Sequence, residues 1–222
     1  MKRDPLLTDK VNRFAQEVGI DIIGFADPEV FDRYPQENLP EKYLQNAQTV
    51  IIVGLYLYDI ILDAWSRDRQ SSKSFHFMDI VIERYCHKIE TFLSGEGFVS
   101  EIVSYNPGLF LKDTAALAGV GPIGRNNLLI TEPYGSQVRL RALVTTAPLI
   151  CGEPILESKY CKDCCKCVKA CPANAFPENN YSKELCRNYA ETHLTRLSQY
   201  TSIWCNACIE ACPIANKAKT RI

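Results

Sequence analysis

Hydrophobic and polar positions along this chain change rhythm several times, and each rhythm predicts an element. Val11, Phe14, Ala15 and Val18 recur at helical spacing, and Gly19 follows as a stop. "DIIGFAD" (21–27) and "TVIIVGLYLY" (49–58) are apolar and β-branched, the pattern of buried strands. Residues 75–93 place Phe77, Val81, Tyr85, Ile89 and Phe92 on one helical stripe, and "GEG" ends it. "FVSEIVS" (98–104) reads as a strand and "LFLKDTAALAG" (109–119) as a short helix. "SQVRLRALVTT" (136–146) alternates with period two. Val138, Leu140, Ala142 and Val144 share one face; Gln137, Arg139, Arg141 and Leu143 share the other, which reads as a solvated strand face. Alternating elements of this kind predict an α/β layer.

From about residue 151 periodicity fades, and cysteines with short turns take over. The expected organisation is therefore an α/β domain over 1–150 and a smaller domain over 151–222 whose core is inorganic. Charge adds little. The 222 residues carry a formal net charge of −1, which leaves no electrostatic footprint for nucleic acid or an acidic membrane. Lys217, Lys219 and Arg221 read as a solvated basic tail. The start "MKRDPLLTDK" places Asp4 and Pro5 where a leader would turn apolar, and "TVIIVGLYLYDIIL" is too short and interrupted to span a bilayer. The expectation is a soluble, cytoplasmic protein.

The cysteines change the picture. Nine of the eleven fall between residues 161 and 212. Crowding in one segment, without a secretory leader, argues for metal rather than disulfides. "CKDCCKCVKACP" supplies Cys161, Cys164, Cys167 and Cys171-Pro172, the complete Cys-x2-Cys-x2-Cys-x3-Cys-Pro run of a bacterial [4Fe–4S] motif. Zinc is the competing reading, but its tetrahedral sites usually pair two separated Cys-x2-Cys hairpins. "WCNACIEACP" supplies only Cys205, Cys208 and Cys212, one short. Between the motifs lies a single further cysteine, Cys186, in "KELCRNYAETH". Eight thiolates then suit two [4Fe–4S] clusters. In two-cluster ferredoxins the fourth cysteine of a motif ligates the other cluster. This rule assigns Cys161, Cys164, Cys167 and Cys212 to a first cluster and Cys171, Cys186, Cys205 and Cys208 to a second. Cys165 reads as a buried, non-ligating thiol, because neighbouring residues do not easily reach one cluster. The alternative for Cys186, a plain core cysteine, stays open.

A full motif, a displaced lone cysteine and then Cys-x2-Cys-x3-Cys-Pro resembles the cluster domain of the epoxyqueuosine reductases; reductive dehalogenases carry a related double-cluster module. Upstream, "DTAALAGVGPIGRNNLLITEPYGSQVRLRALVTT", "GFADPEVF" and "AQTVIIVGLYLY" are similar to the same family, so the likeness covers nearly the whole chain. It implies a bacterial-ferredoxin-like double-cluster domain behind an α/β core that holds cobalamin, with single electrons passing at the domain interface to the corrinoid or to a substrate. It also implies Gly121, Gly124, Arg125, Asn126, Leu129, Arg139 and Arg141 as cofactor-binding positions. Gly119-x-Gly121-x-x-Gly124 follows a helix and leads towards a strand, which argues against a dinucleotide fingerprint and for a tight backbone turn. Tyr105 stands at the family's proton-donating position and reads either as the catalytic acid or as a turn residue packed on the core. Arg141 stands where the family has Gly; it fills corrin space, binds an anionic group, or is solvated. The chain stops ten residues after Cys212, short of the family's helical-repeat region, so tRNA is not expected as a partner. A ferredoxin- or flavodoxin-type electron donor is expected. The alternative to a reductase is a non-catalytic electron-transfer or activation protein whose cofactor pocket has closed.

Overall fold

The structure, a computed structural model, describes residues 2–67, 74–132 and 134–214. The basic residues Lys217, Lys219 and Arg221 lie outside the described residues. The elements run α1 (Pro5–Glu17), β1 (Ile22–Ala26), β2 (Thr49–Tyr56), β3 (Trp65–Arg67), β4 (Ser74–His76), α2 (Phe77–Gly95), β5 (Ser100–Ile102) and α3 (Leu111–Leu117). They continue with β6 (Val138–Thr145), α4 (Lys166–Lys169), α5 (Lys183–Thr192), β7 (Thr195–Arg196), β8 (Thr201–Ile203) and α6 (Ala207–Glu210). The fold is mixed α/β with two four-stranded sheets, ordered β1-β2-β6-β5 and β4-β3-β8-β7. Among the described residues no helix is long and apolar enough to cross a membrane. Contacts divide the chain into two units: Met1–Tyr56, Val81–Pro122 and Leu140–Leu156 in one; Leu57–Ile80, Ile123–Arg139 and Glu157–Ile222 in the other.

In the first unit, α1 starts where Asp4 accepts a hydrogen bond from the Leu7 amide and Pro5 opens the helix without an orphaned N–H. Leu7, Val11 and Ala15 bury its inner face, and Gly19 leaves it at φ +86°. β1 pairs antiparallel with β2, Ile22 opposite Gly54 and Ala26 opposite Val50. β2 is an inner strand, buried from Thr49 through Leu55, which is why its apolar run is unbroken.

Two expectations from periodicity are corrected here. The buried stripe of α2 is Met78, Ile82, Cys86, Ile89 and Leu93, while Phe77 is exposed. The expected stripe shares only Ile89 with it. Neighbouring rows on a helix surface are one residue apart, and two apolar rows side by side leave periodicity undecided. Phe92, from the expected row, stacks on Phe14 with ring centroids 4.5 Å apart. The second correction concerns β6, whose face bearing Gln137 and Arg141 is not solvated. Both residues are buried, at 4% and 6% exposure. Glu83 and Cys86 of α2 lie beside Arg141, so the helix covers the face that alternation assigned to water.

In the second unit, β3 pairs antiparallel with both β4 and β8, and β8 with β7. Trp65 stacks on Trp204 with centroids 5.2 Å apart, and Ser66 bonds Thr201 through their hydroxyls at 2.9 Å. These contacts seat the residues just before Cys205. The two cysteine motifs fold alike. Each makes a single helical turn, α4 and α6, that begins one residue before Cys167 and Cys208. Each turn ends on an alanine whose amide donates to the turn's first carbonyl, Ala170 to Lys166 and Ala211 to Ala207.

Candidate metal centre

The loop 123–130 and the cysteine segments line one partly open space. Cys161, Cys164, Cys167 and Cys212 line it, together with Arg125, Asn126, Ile130, Tyr160, Pro213 and Ile214. Three of these thiols come from the first motif and the fourth from the second, across the 41 residues from Cys171 to Cys212. Cys167 and Cys212 are buried. Burial raises the Cys167 thiol pKa, and the neighbouring Cys161, Cys212 and Cys164 raise it further. Four soft sulfur donors around an otherwise largely apolar space fit a thiolate-bound cluster, and a cationic occupant would reverse the upward shift by holding the thiols deprotonated.

A second set of thiols gathers nearby in the same unit. Burial pushes Cys208 up to about 12, with Cys186, Cys167, Cys205 and Cys171 adding to it as neighbouring negative charges. Tyr181 is raised by burial, then by the neighbouring Cys186, Cys208 and Cys171. Cys186 reaches this set from α5, which Ser182 caps by accepting from the Leu185 amide. Cys205 is exposed. Among the described residues no group of three or more His, Cys, Asp or Glu side chains is drawn together as a site for a single metal ion.

Backbone and side-chain donors surround the first set. The Arg125 amide points at Cys161 Sγ at 3.4 Å. The Arg125 guanidinium donates to the carbonyl of Cys161 at 3.1 Å and approaches Cys165 Sγ at 3.5 Å. Cys165, expected to be buried, is only half-buried, because it is turned towards this guanidinium. Asn126 is buried at 5% exposure; its Oδ1 accepts from the Leu128 amide and its Nδ2 has no partner among the described residues. Gly124 donates to the Leu128 carbonyl at 2.8 Å and closes this turn. Gly121 and Leu129 are buried.

The remaining candidates lie elsewhere. Arg139 is held by Asp79 at 2.6 Å and Asp63 at 3.3 Å. Burial outweighs the arginine at Asp63, whose pKa is raised. Tyr105 is exposed, and its ring lies over the Arg141 guanidinium, 3.9 Å from centroid to Cζ. Arg141 meets Glu83 at 3.7 Å, while its Nε and Nη1 are buried without hydrogen-bond partners among the described residues. Sequence reasoning missed Tyr181, Asp63 and Asp79 altogether. Tyr181 stands five residues before Cys186, a spacing that carries no signal of its own.

No family model matches the chain. Epoxyqueuosine reductase of Synechocystis sp. is 26% identical over 204 residues, which is 81% of this chain and 66% of that protein. Tetrachloroethene reductive dehalogenase of Desulfitobacterium hafniense is 29% identical over 150 residues, 60% of this chain and 27% of that protein. A solved structure of epoxyqueuosine reductase with a tRNA-Tyr epoxyqueuosine-modified stem loop superposes with a TM-score of 0.73 at 21% identity, covering 95% of this chain and 66% of that one. The chain is thus similar to epoxyqueuosine reductases and to reductive dehalogenases and shares the fold of the former. It spans between 42% and 66% of the length of the first three epoxyqueuosine reductases it matches.

Proposed function

We propose that this chain is an iron–sulfur oxidoreductase that holds two [4Fe–4S] clusters and moves electrons one at a time. The observation that carries the reading is the single space lined by Cys161, Cys164, Cys167 and Cys212, three thiols from one motif and one from the other. In this reading those four residues hold the first cluster, and Cys171, Cys186, Cys205 and Cys208 hold the second. Such clusters supply one-electron steps at potentials between roughly −700 and +450 mV. The residues present do the rest. Ile130, Pro213 and Ile214 keep water from the first set, and Arg125 neutralises charge beside Cys161 and Cys165. Exposed Cys205 makes the second set the side at which a ferredoxin- or flavodoxin-type donor delivers electrons.

The corrinoid that the resemblance implies fits the residues present poorly. Tyr105 and Arg141, the acid and the ring-facing position, are engaged with each other, and the guanidinium is buried beside Glu83. No step is therefore routed through cobalamin, and the acceptor is a small-molecule substrate or a partner protein. That observation favours a second reading, the electron-transfer or activation protein with a closed cofactor pocket.

Anaerobic reconstitution tests the first claim. About eight iron and eight acid-labile sulfide per chain are expected; a colourless protein that takes up only zinc overturns it. Cobalamin titration of the loaded protein tests whether the cofactor pocket is closed. Corrin bands that shift on binding favour the reductase with corrinoid, and none, even with Arg141→Gly, favours the carrier. The tRNA complex solved for a similar reductase makes the tRNA stem loop the first macromolecule to test.

A further inference from the structure

Asn126 combines two facts that do not sit together in a finished site. It is buried, and its Nδ2 donates to nothing among the described residues. A buried amide hydrogen without an acceptor costs more than an ordinary hydrogen bond returns. The orientation of the amide is not arbitrary. Oδ1 accepts from the Leu128 N–H at 3.3 Å, and a flipped amide would set two donors face to face there. Gly124 makes room for this arrangement, since a Cβ at that position would come within 2.8 Å of Oδ1. The residue lines the space shared by Cys161, Cys164, Cys167 and Cys212. Its neighbour Arg125 already directs its backbone N–H at Cys161 Sγ.

Resting on the iron–sulfur reading, we propose that the Asn126 side-chain amide donates a hydrogen bond to a sulfur of the first cluster and raises that cluster's reduction potential. Reduction adds negative charge to the cluster, and a fixed donor stabilises the more negative state. Asn126 is thus a positioning residue of the redox centre: it adjusts the first cluster's potential and does not itself exchange an electron. The second set has a donor of its own, the Ala175 N–H on Cys171 Sγ at 3.5 Å.

The test uses the full chain, reconstituted anaerobically, in a potentiometric titration followed by EPR. Asn126→Asp keeps the shape and removes the donor; Asn126→Leu removes the polarity. In both, iron content should equal that of the unsubstituted protein. One of the two reduction steps should move to lower potential by at least tenfold in the equilibrium ratio, about 59 mV for one electron, and the other should stay in place. Full iron with both steps unmoved overturns the inference. Failure of the unsubstituted protein to bind iron overturns the iron–sulfur reading instead. If the variants lose the cluster, the unsubstituted protein still decides the matter. With asparagine labelled by nitrogen-15 at the side chain, a hyperfine coupling to one cluster is expected, and its absence overturns the inference.

Discussion

The two cysteine sets have the same ligand chemistry in different surroundings. The first is enclosed, with Cys167 and Cys212 buried and with donors arriving from the 124–128 turn, outside the cysteine segments altogether. The second opens to solvent at Cys205 and draws one thiol from α5, with the Ala175 amide donating to Cys171. Local sequence is nearly the same at both motifs, down to the single helical turn before each Cys-Pro. The difference comes from what other parts of the chain bring up to them. On the proposed iron–sulfur reading, identical ligands sit in unequal surroundings, one set enclosed and one open to solvent at Cys205.

The largest effects should come from the thiols that complete each set. Cys212→Ala is expected to remove the first cluster and Cys186→Ala the second, each with loss of about half the iron, roughly four atoms per chain. Iron analysis and EPR check both; full iron in either variant breaks the comparison at its root. Stability should fall with the cluster, because metal binding and folding are linked in such sites.

A smaller effect should follow Tyr181→Phe. Removing the hydroxyl beside Cys186 is expected to cost the reduced second cluster about 1 kcal/mol, or about 40 mV, without loss of iron. A shift in the first cluster's step instead would show that the sets are not independently controlled. The smallest effect on iron is expected from Cys165→Ser. Its thiol faces the Arg125 guanidinium, and both clusters should remain by absorbance and iron count. Loss of a cluster there, with Cys164→Ser harmless, would shift the ligand set by one residue. Finally, tRNA affinity should be weak at physiological salt, given the net charge of −1. Submicromolar, salt-sensitive binding to the stem loop in a filter or fluorescence assay would assign the chain a role close to that of its similar reductases.

Much of the fold is legible in the sequence. Strands over 21–27 and 49–58, the helix before "GEG" and the strand after Ser136 all stand close to where periodicity places them. Each strand is decided by a run of about ten residues or fewer. The cysteine arithmetic is legible for the same reason, since ligand spacing within a motif is local chain geometry. What escapes is decided at a distance. Arg141 reads as solvated because alternation reports on one strand and not on the helix that covers it. The stripe of α2 is displaced because two apolar rows lie side by side, and only the packed neighbour selects between them. The pairing of β3 with β8 joins residues 65–66 to 201–202, and no turn signal connects them. Resemblance singles out Asn126, but the orphaned Nδ2 that gives it a role is visible only once Leu128 has claimed its oxygen.

The crossing of Cys212 into the first set has a consequence for biosynthesis. A nascent chain presents Cys161, Cys164 and Cys167 before the segment that carries Cys212 leaves the ribosome, at about 5–20 residues per second. During that interval three thiols wait without the fourth. On the proposed assignment neither set closes until the second motif has been made, because the first needs Cys212 and the second needs Cys205 and Cys208. On that assignment, assembly would be a late, joint event rather than a sequence of two, and the waiting thiols would have to be kept reduced and shielded from stray metal until the last ligand arrives.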